Sequence, residues 1–154
     1  MTGESRGRIG EAGIPSGGEA RQADVSAGGA GGRPRTALVT GAGGGIGLET
    51  AILLAASGFR VAAGLRDPSR ADALLARARE AGSADRILPL RMDVTDAGQI
   101  QAAVRAAESA FGGIGVLVNN AGFAAGGYTE AIPAEVWRRQ FDVNLFGAVE
   151  TVRA

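Results

Sequence analysis

Five glycines lie within the seven residues 41–47, where "GAGGGIG" follows the short apolar run "TALVT". A loop between a strand and a helix can turn its backbone amides, and the positive end of the helix dipole, towards a pyrophosphate. Side chains at these positions would block the close approach of a ligand, which gives a physical reason for glycine. The alternative interpretation is a tight glycine-rich turn that binds nothing.

The spacing of the loop excludes two common nucleotide-binding patterns. The pattern G-x-x-x-x-G-K-[S/T] needs a lysine, whereas all 16 basic residues of this chain are arginine. The pattern G-x-G-x-x-G also fails, because a start at Gly41 or Gly43 has Ile46 or Leu48 where the last glycine should be. The spacing that fits is T-G-x-x-x-G-x-G, formed by Thr40, Gly41, Gly45 and Gly47.

Three further polar motifs follow in order along the chain. Asp93 lies in "DVTD", residues 119–122 form "NNAG", and Asn144 lies in "FDVNLFG". Together with the glycine loop, these motifs resemble the short-chain dehydrogenase/reductase family. The resemblance covers residues 35–154, which is all of the chain outside its amino-terminal segment.

Length and composition are typical of a globular protein. The chain has 154 residues, enough for one domain, with 45% hydrophobic and 21% charged residues. Its formal net charge of zero gives no general attraction to nucleic acid or anionic membranes. No apolar run reaches the length of a membrane span and no secretory signal is visible, so we expect a cytoplasmic protein. Because the chain has neither Cys nor His, we predict no metal site.

The amino-terminal segment, residues 1–34, differs from the rest of the sequence. It is rich in Gly, Ser and charge and shows no apolar periodicity, so we predict a disordered tail. Its arginines are also compatible with an organelle-targeting peptide, but its acidic residues argue against that interpretation. A start codon assigned too far upstream would produce the same pattern.

Strands and helices alternate from residue 35 onward, which predicts an α/β fold with a parallel sheet covered by helices on both faces. Apolar runs predict strands over residues 36–40, 59–65, 86–94 and 114–120, the last of them buried. Helical patterns and caps predict helices over residues 45–58, 68–82, 96–112 and 133–154. The apolar face of the last helix is predicted to comprise Trp137, Phe141, Leu145, Ala148, Val149 and Val152.

The family resemblance implies a Rossmann-like, doubly wound sheet in three αβα layers. Its strands would lie in the order 3-2-1-4, with later strands missing from this chain, and would bring the two loops after strands one and four together. Residues 35–154 would then be a partial NAD(P)-binding domain. By resemblance, the pyrophosphate would lie against the motif that begins at Thr40. Its contacts there would be Gly41, Gly45, Ile46 and Gly47.

The same resemblance assigns the remaining cofactor contacts. Asp93 would accept a hydrogen bond from the adenine amino group, with Val94 packing beside it. Residues Asn120, Ala121 and Gly122 would border the ribose and the nicotinamide. The structural alternatives are a helix-capping role for Asp93 and, for Asn119, a role in tying neighbouring strands.

Cofactor preference depends on the end of the second strand. An NAD-preferring member of the family carries an acid there, where this chain has Leu65 followed by Arg66. An arginine can hold a 2′-phosphate through paired charge-assisted hydrogen bonds, so we predict NADP rather than NAD. Arg66 could instead be a solvated loop charge, and Asp67 would supply the acid if the register slipped by two residues.

The family's catalytic Tyr-x-x-x-Lys pair and Ser are absent from this sequence. The only Tyr is Tyr128, followed four residues later by Ile132, and the chain has no Lys. Of the catalytic set only Asn144 is present; its family role is to help hold a water in the proton relay, and its structural alternative is a polar residue at the edge of a helix face. We therefore expect a truncated chain that is inactive alone, marginally stable and prone to aggregate.

The resemblance implies an oxidoreductase that transfers hydride between a nicotinamide and a small carbonyl or alcohol substrate. The full-length protein would be a homo-oligomer and would bind neither nucleic acid nor membrane. One alternative is a non-catalytic dinucleotide-binding module that acts as a sensor or scaffold. Another is a complete enzyme that uses other groups, such as Tyr128.

Overall fold

The computed structural model describes residues 35–154, and the predicted disordered tail lies outside the described residues. Four parallel strands form one sheet in the order β3-β2-β1-β4, which confirms the predicted order. Their bounds are β1 Thr36–Thr40, β2 Arg60–Leu65, β3 Ile87–Arg91 and β4 Val116–Val118. In the centre of the sheet, β1 pairs with β2 from Thr36 opposite Arg60 to Thr40 opposite Gly64.

Helices connect the strands; the second begins at Ala71, after a 3₁₀ turn at Pro68–Arg70, rather than at residue 68 as predicted. Asp96 caps α3, because its carboxylate accepts a hydrogen bond from the Gln99 amide at 3.0 Å. No helix within residues 35–154 is long and apolar enough to cross a membrane. The helices are α1 Gly45–Ala56, α2 Ala71–Glu80, α3 Ala97–Phe111, α4 Ala134–Phe141 and α5 Gly147–Arg153.

The two faces of the sheet carry separate apolar cores, which confirms the layered αβα arrangement. Val39 and Ala63 face the core shared with α1 and α2, where Leu74 is fully buried. Leu38 and Ala62 face the core shared with α3. Successive side chains of β1 and β2 therefore point into opposite cores, and both strands read as continuous apolar runs in the sequence.

Strand β4 is shorter and less buried than its apolar sequence predicts. The strand covers only Val116–Val118, and Val116 is 36% exposed. In the described sheet β4 pairs with β1 alone and lies at an edge. Apolar character identified the strand correctly, but it cannot reveal whether a neighbour covers it.

The sequence predicted one continuous α-helix over residues 133–154, but the structure interrupts this segment. A π-helical turn, Asp142–Phe146, separates α4 from α5. A π turn accommodates one extra residue, so it changes which side chains face the sheet beyond it.

The buried face of this segment also differs from the predicted apolar face. Gly147 and Thr151 are the buried residues of α5, whereas Phe141, Leu145, Val149 and Val152 are exposed. A Cβ atom at Gly147 would lie 2.8 Å from the carbonyl oxygen of Val94, so only glycine permits this approach. Close backbone packing, rather than side-chain hydrophobicity, selects the face that meets the sheet.

Replacing Leu74 tests the core between the sheet and helices α1 and α2. Leu74→Ala should lower the free energy of unfolding by about 2–5 kcal/mol, because a fully buried leucine leaves a cavity. Leu53→Ala is the matched control, since Leu53 is 66% exposed and its loss should cost much less. Urea titrations of both variants measure the difference, and equal losses would contradict the described core.

Candidate functional site

The carboxyl ends of β1 and β4 are joined by a hydrogen-bonded contact between Thr40 and Asn120. The Thr40 hydroxyl oxygen accepts the backbone amides of Asn120 and Ala121, both at 3.0 Å. In return, the Asn120 side chain donates to the carbonyl oxygens of Thr40 at 2.9 Å and Gly41 at 3.3 Å. The strand order reverses here, so the contact forms the floor of the crevice in which α/β proteins of this kind bind ligands.

Two glycines of the loop are required by packing alone. A Cβ atom at Gly41, where φ is +70°, would lie 2.9 Å from the Ala121 Cα. A Cβ atom at Gly47 would lie 2.5 Å from the Gly41 carbonyl oxygen and closer still to the Asn120 side-chain nitrogen. The interpretation as a tight turn therefore accounts for Gly41 and Gly47.

One glycine between them is not required by packing or by its backbone conformation. A Cβ atom at Gly43 would lie 3.3 Å from the Arg70 and Leu65 side chains, and Gly45 has a φ of +54°, which favours glycine. A Cβ atom at Gly44 would meet nothing within 4 Å, and its φ of 174° is open to any residue. Gly44 is also the N-cap of α1, and no side chain caps this helix. The first amides of any helix lack intrahelical acceptors, so the bare helix end offers donors to an anion.

The crevice continues into a cleft of about 790 Å³, within the size range of small-molecule and cofactor sites. Of the sequence-predicted residues, Thr40, Gly45 and Asn144 do not line it. Thr40 is 1% exposed, because its hydroxyl is used in the contact with the Asn120 loop. The predicted residues that do line the cleft are Gly41, Ile46, Gly47, Arg66, Asp93, Val94, Asn120, Ala121 and Gly122.

Asp93 lies at the end of the cleft formed by the loops after β2 and β3. Its Oδ1 accepts hydrogen bonds from the Thr95 amide at 3.0 Å and the Thr95 hydroxyl at 2.8 Å. The other carboxylate oxygen makes no hydrogen bond within residues 35–154. The cap of α3 is Asp96, so the capping alternative weighed for Asp93 is wrong.

The acidic alternative at the end of β2 has a structural role. Asp67 accepts a hydrogen bond from the Ser69 amide at 3.0 Å and caps the short 3₁₀ turn Pro68–Arg70. The hydrogen bonds from Ser69, then the positive charges of Arg70 and Arg66, lower the pKa of Asp67. Arg66 is exposed and, among the described residues, makes no salt bridge.

Asn144 lies in the π-helical turn and contacts the loop that follows the "NNAG" motif. Its Oδ1 accepts from the Phe123 amide at 3.0 Å, and its Nδ2 donates to the Phe123 carbonyl at 2.8 Å. The predicted role of Asn144 in a proton relay stays a prediction. Asn119 does not tie neighbouring strands, because its side chain donates to the Ala148 carbonyl of α5 at 3.4 Å and Asn120 makes the interstrand contact.

Sequence analysis missed several residues of the cleft. Phe123, Arg139 and Val143 line it, and the Arg139 guanidinium lies 5.9 Å from the centroid of the Phe123 ring. Arg139 and Val143 lie four residues apart in the last helical segment, and this spacing places residues on one helix face. The spacing was visible in the sequence, but the cleft that this face meets was not.

The sheet order and the crevice above β1 and β4 define a Rossmann-like α/β protein. The sequence model described as "short chain dehydrogenase" matches residues 35–154. The chain therefore belongs to the short-chain dehydrogenase/reductase family, a family of oxidoreductases that act on small molecules.

Similarity to individual relatives supports this membership, although the chain matches only part of each relative's length. The chain is 40% identical over 98 residues, 64% of its length and 35% of the relative's, to the uncharacterised oxidoreductase YusZ of Bacillus subtilis. It is 39% identical over 100 residues to a galactitol 2-dehydrogenase of Agrobacterium fabrum, covering 65% of this chain and 37% of that protein. The chain thus spans little more than a third of these curated relatives.

Solved structures give the same result. A short-chain dehydrogenase/reductase from Mycobacterium marinum superposes with a TM-score of 0.71 at 30% identity, over 77% of this chain and 47% of that one. A variant of actinorhodin polyketide ketoreductase, crystallised with NADPH, superposes with a TM-score of 0.70 at 37% identity, over 77% of this chain and 44% of that one.

Within residues 35–154, no group of three or more acidic, His or Cys residues could hold a metal ion.

A methyl group at Gly47 should disrupt the contact between the glycine loop and Asn120. Because the added Cβ overlaps the Gly41 carbonyl and the Asn120 side chain, Gly47→Ala should destabilise the fold by about 1–3 kcal/mol. Gly126→Ala is the matched control, since a Cβ atom there meets nothing within 4 Å. Thermal unfolding compares the two variants, and an unchanged midpoint in Gly47→Ala would contradict the close approach.

Proposed function

We propose that this chain is the cofactor-binding portion of an NADP(H)-dependent oxidoreductase that acts on a small carbonyl or alcohol. The observation that carries the proposal is the bare start of α1 beside the crevice, where Gly44 lacks a side chain although neither packing nor its extended backbone requires glycine. When bound, the nicotinamide supplies the hydride or accepts it. The chain's own residues bind and orient the dinucleotide.

The residues of the cleft fit a dinucleotide from end to end. The amides of residues 45–47 would hold the pyrophosphate, because they start a helix that has neither a side-chain cap nor an acidic residue in its first turn. The free carboxylate oxygen of Asp93 would accept from the adenine amino group, beside the buried Val94. Ala121 and Gly122 would border the nicotinamide end.

The charges after β2 favour NADP over NAD. Arg66, Asp67 and Arg70 all line the cleft, and Oδ1 of Asp67 accepts the Ser69 amide. A 2′-phosphate would therefore meet two guanidinium groups and a single carboxylate, while the position at the end of β2 where an NAD-preferring member carries an acid is Leu65. The NADPH in the related ketoreductase structure is consistent with this preference.

The proposal also includes a role for Asn144 and the assembly of the whole protein into a homo-oligomer. Asn144 would help to hold a water for the proton relay, although its side chain also holds Phe123. The exposed apolar side chains of the last helical segment, among them Phe141, Phe146 and Val149, support a homo-oligomer of the whole protein. The substrate class is a carbonyl or alcohol, and neither nucleic acid nor membrane is proposed as a partner.

Binding of NADP⁺ and NAD⁺ to the chain, measured by titration calorimetry, tests the proposal. Wild type should bind NADP⁺ more tightly, and Arg66→Met should lose about tenfold or more of that affinity, because a charge-assisted hydrogen bond contributes about 1.5–3 kcal/mol. Binding of NAD⁺ should change little in the same variant.

Arg105→Met is the matched control, since Arg105 is exposed on α3 and does not line the cleft. Its affinities for both cofactors should equal those of wild type. A clear preference of wild type for NAD⁺ would contradict the assignment of Arg66 to the 2′-phosphate. If wild type bound neither cofactor, the proposed function would be refuted.

A further inference from the structure

The loop from Gly122 to Gly127 is held by two side chains of the last helical segment. Within residues 35–154, the backbone of this loop makes hydrogen bonds only to Asn144 and Gln140. Asn144 binds both the amide and the carbonyl of Phe123, as described above. Gln140 accepts the Ala125 amide through its Oε1 at 2.7 Å. The position of the loop therefore depends on these contacts.

The contact at Ala125 fixes the loop where it would otherwise be free to move. Ala125 directly precedes Gly126 and Gly127, and Gly127 adopts a φ of +143°, a conformation that glycine populates readily. Gln140 is half-buried and lies four residues before Asn144, so both side chains extend from one side of the helical segment towards the loop. Without Gln140, only Phe123 would be held.

The held loop forms one wall of the cleft. Gly122 and Phe123 line it, and Arg139, the residue before Gln140, places its guanidinium 5.9 Å from the centroid of the Phe123 ring. Consecutive helical residues thus contact the ring and the backbone of the same loop. This wall follows β4, whereas Arg66 and Asp93 follow β2 and β3 on the other side of β1. Neighbouring strands lie about 4.8 Å apart, so the two ends of the cleft are separated by about 10 Å or more.

We infer that Gln140 is a positioning residue for the nicotinamide half of the bound cofactor. Asn144 holds the wall at Phe123, and Gln140 adds a second attachment two residues further on, at the Ala125 amide. Two attachments prevent the loop from turning about Phe123, so the Gly122–Phe123 wall keeps the orientation in which a dinucleotide spanning the cleft can contact it. The adenine half, at the other end, does not depend on this contact. The inference rests on the proposed function, since it assumes that a nicotinamide dinucleotide occupies the cleft.

Comparing a whole cofactor with its adenine half separates positioning from general stability. In the 154-residue chain, Gln140→Leu should weaken NADPH binding about three- to tenfold, because it removes the acceptor of a partly buried amide. Binding of adenosine 2′,5′-bisphosphate, which lacks the nicotinamide half, should be unchanged. Gln140→Glu keeps an acceptor oxygen at the same reach and should restore NADPH binding.

Gln101→Leu is the matched control, since Gln101 is an exposed helical glutamine that does not line this cleft. If leucine prevents folding, Gln140→Ala provides the same comparison with a smaller side chain. Equal losses for NADPH and the bisphosphate, or no loss for either, would overturn the role of Gln140 while leaving the proposed function intact. Failure of wild type to bind either ligand would instead remove the proposed function, and this inference with it.

Discussion

The hydrogen bonds between Thr40 and Asn120 connect the two halves of the site. A single hydroxyl oxygen accepts two successive amides of the loop after β4, and the Asn120 side chain returns two hydrogen bonds to the end of β1. The loops after these strands are thereby fixed relative to each other, although β1 and β4 pair over only three residues, from Ala37 to Val39. If this contact were lost, the glycine loop and the "NNAG" loop could separate, and the crevice between them would no longer have a defined width.

The glycine loop serves two physical requirements that its sequence does not distinguish. Gly41 and Gly47 lack side chains because the backbone of the opposite loop and the Asn120 side chain occupy that space. Gly44 lacks a side chain although space is open and its backbone is extended, which leaves the start of α1 bare. A tight turn and a ligand site are therefore not competing descriptions of this loop. Gly41 and Gly47 hold the loop against Asn120, and the open Gly44 exposes the helix end to the cleft.

Local patterns predicted the strands and helices along the chain, because strands β1 to β3 and helices α1 to α3 satisfy both propensity and burial. The order of the strands in the sheet and the residues expected at the cofactor came instead from the family resemblance, and the order is confirmed. The predictions failed where long-range packing decides. The apolar stripe through Phe141 and Val149 is exposed, since Gly147 approaches Val94 instead. Gln140 carried no recognisable signal, because its partner is a backbone amide of an irregular loop.

The π-helical turn explains how one helical segment can serve both ends of the cleft. Before and within the turn, Gln140 and Asn144 face the loop at Phe123 and Ala125, and after it Gly147 packs against Val94 beside Asp93. The wider turn takes up an extra residue at Asp142–Phe146, so the segment can present polar side chains to one loop and a bare backbone to another. Both loops line the cleft, so this one segment contacts both of its walls. The irregular turn lies between the contacts to the loop after β4 and the contact to the loop after β3.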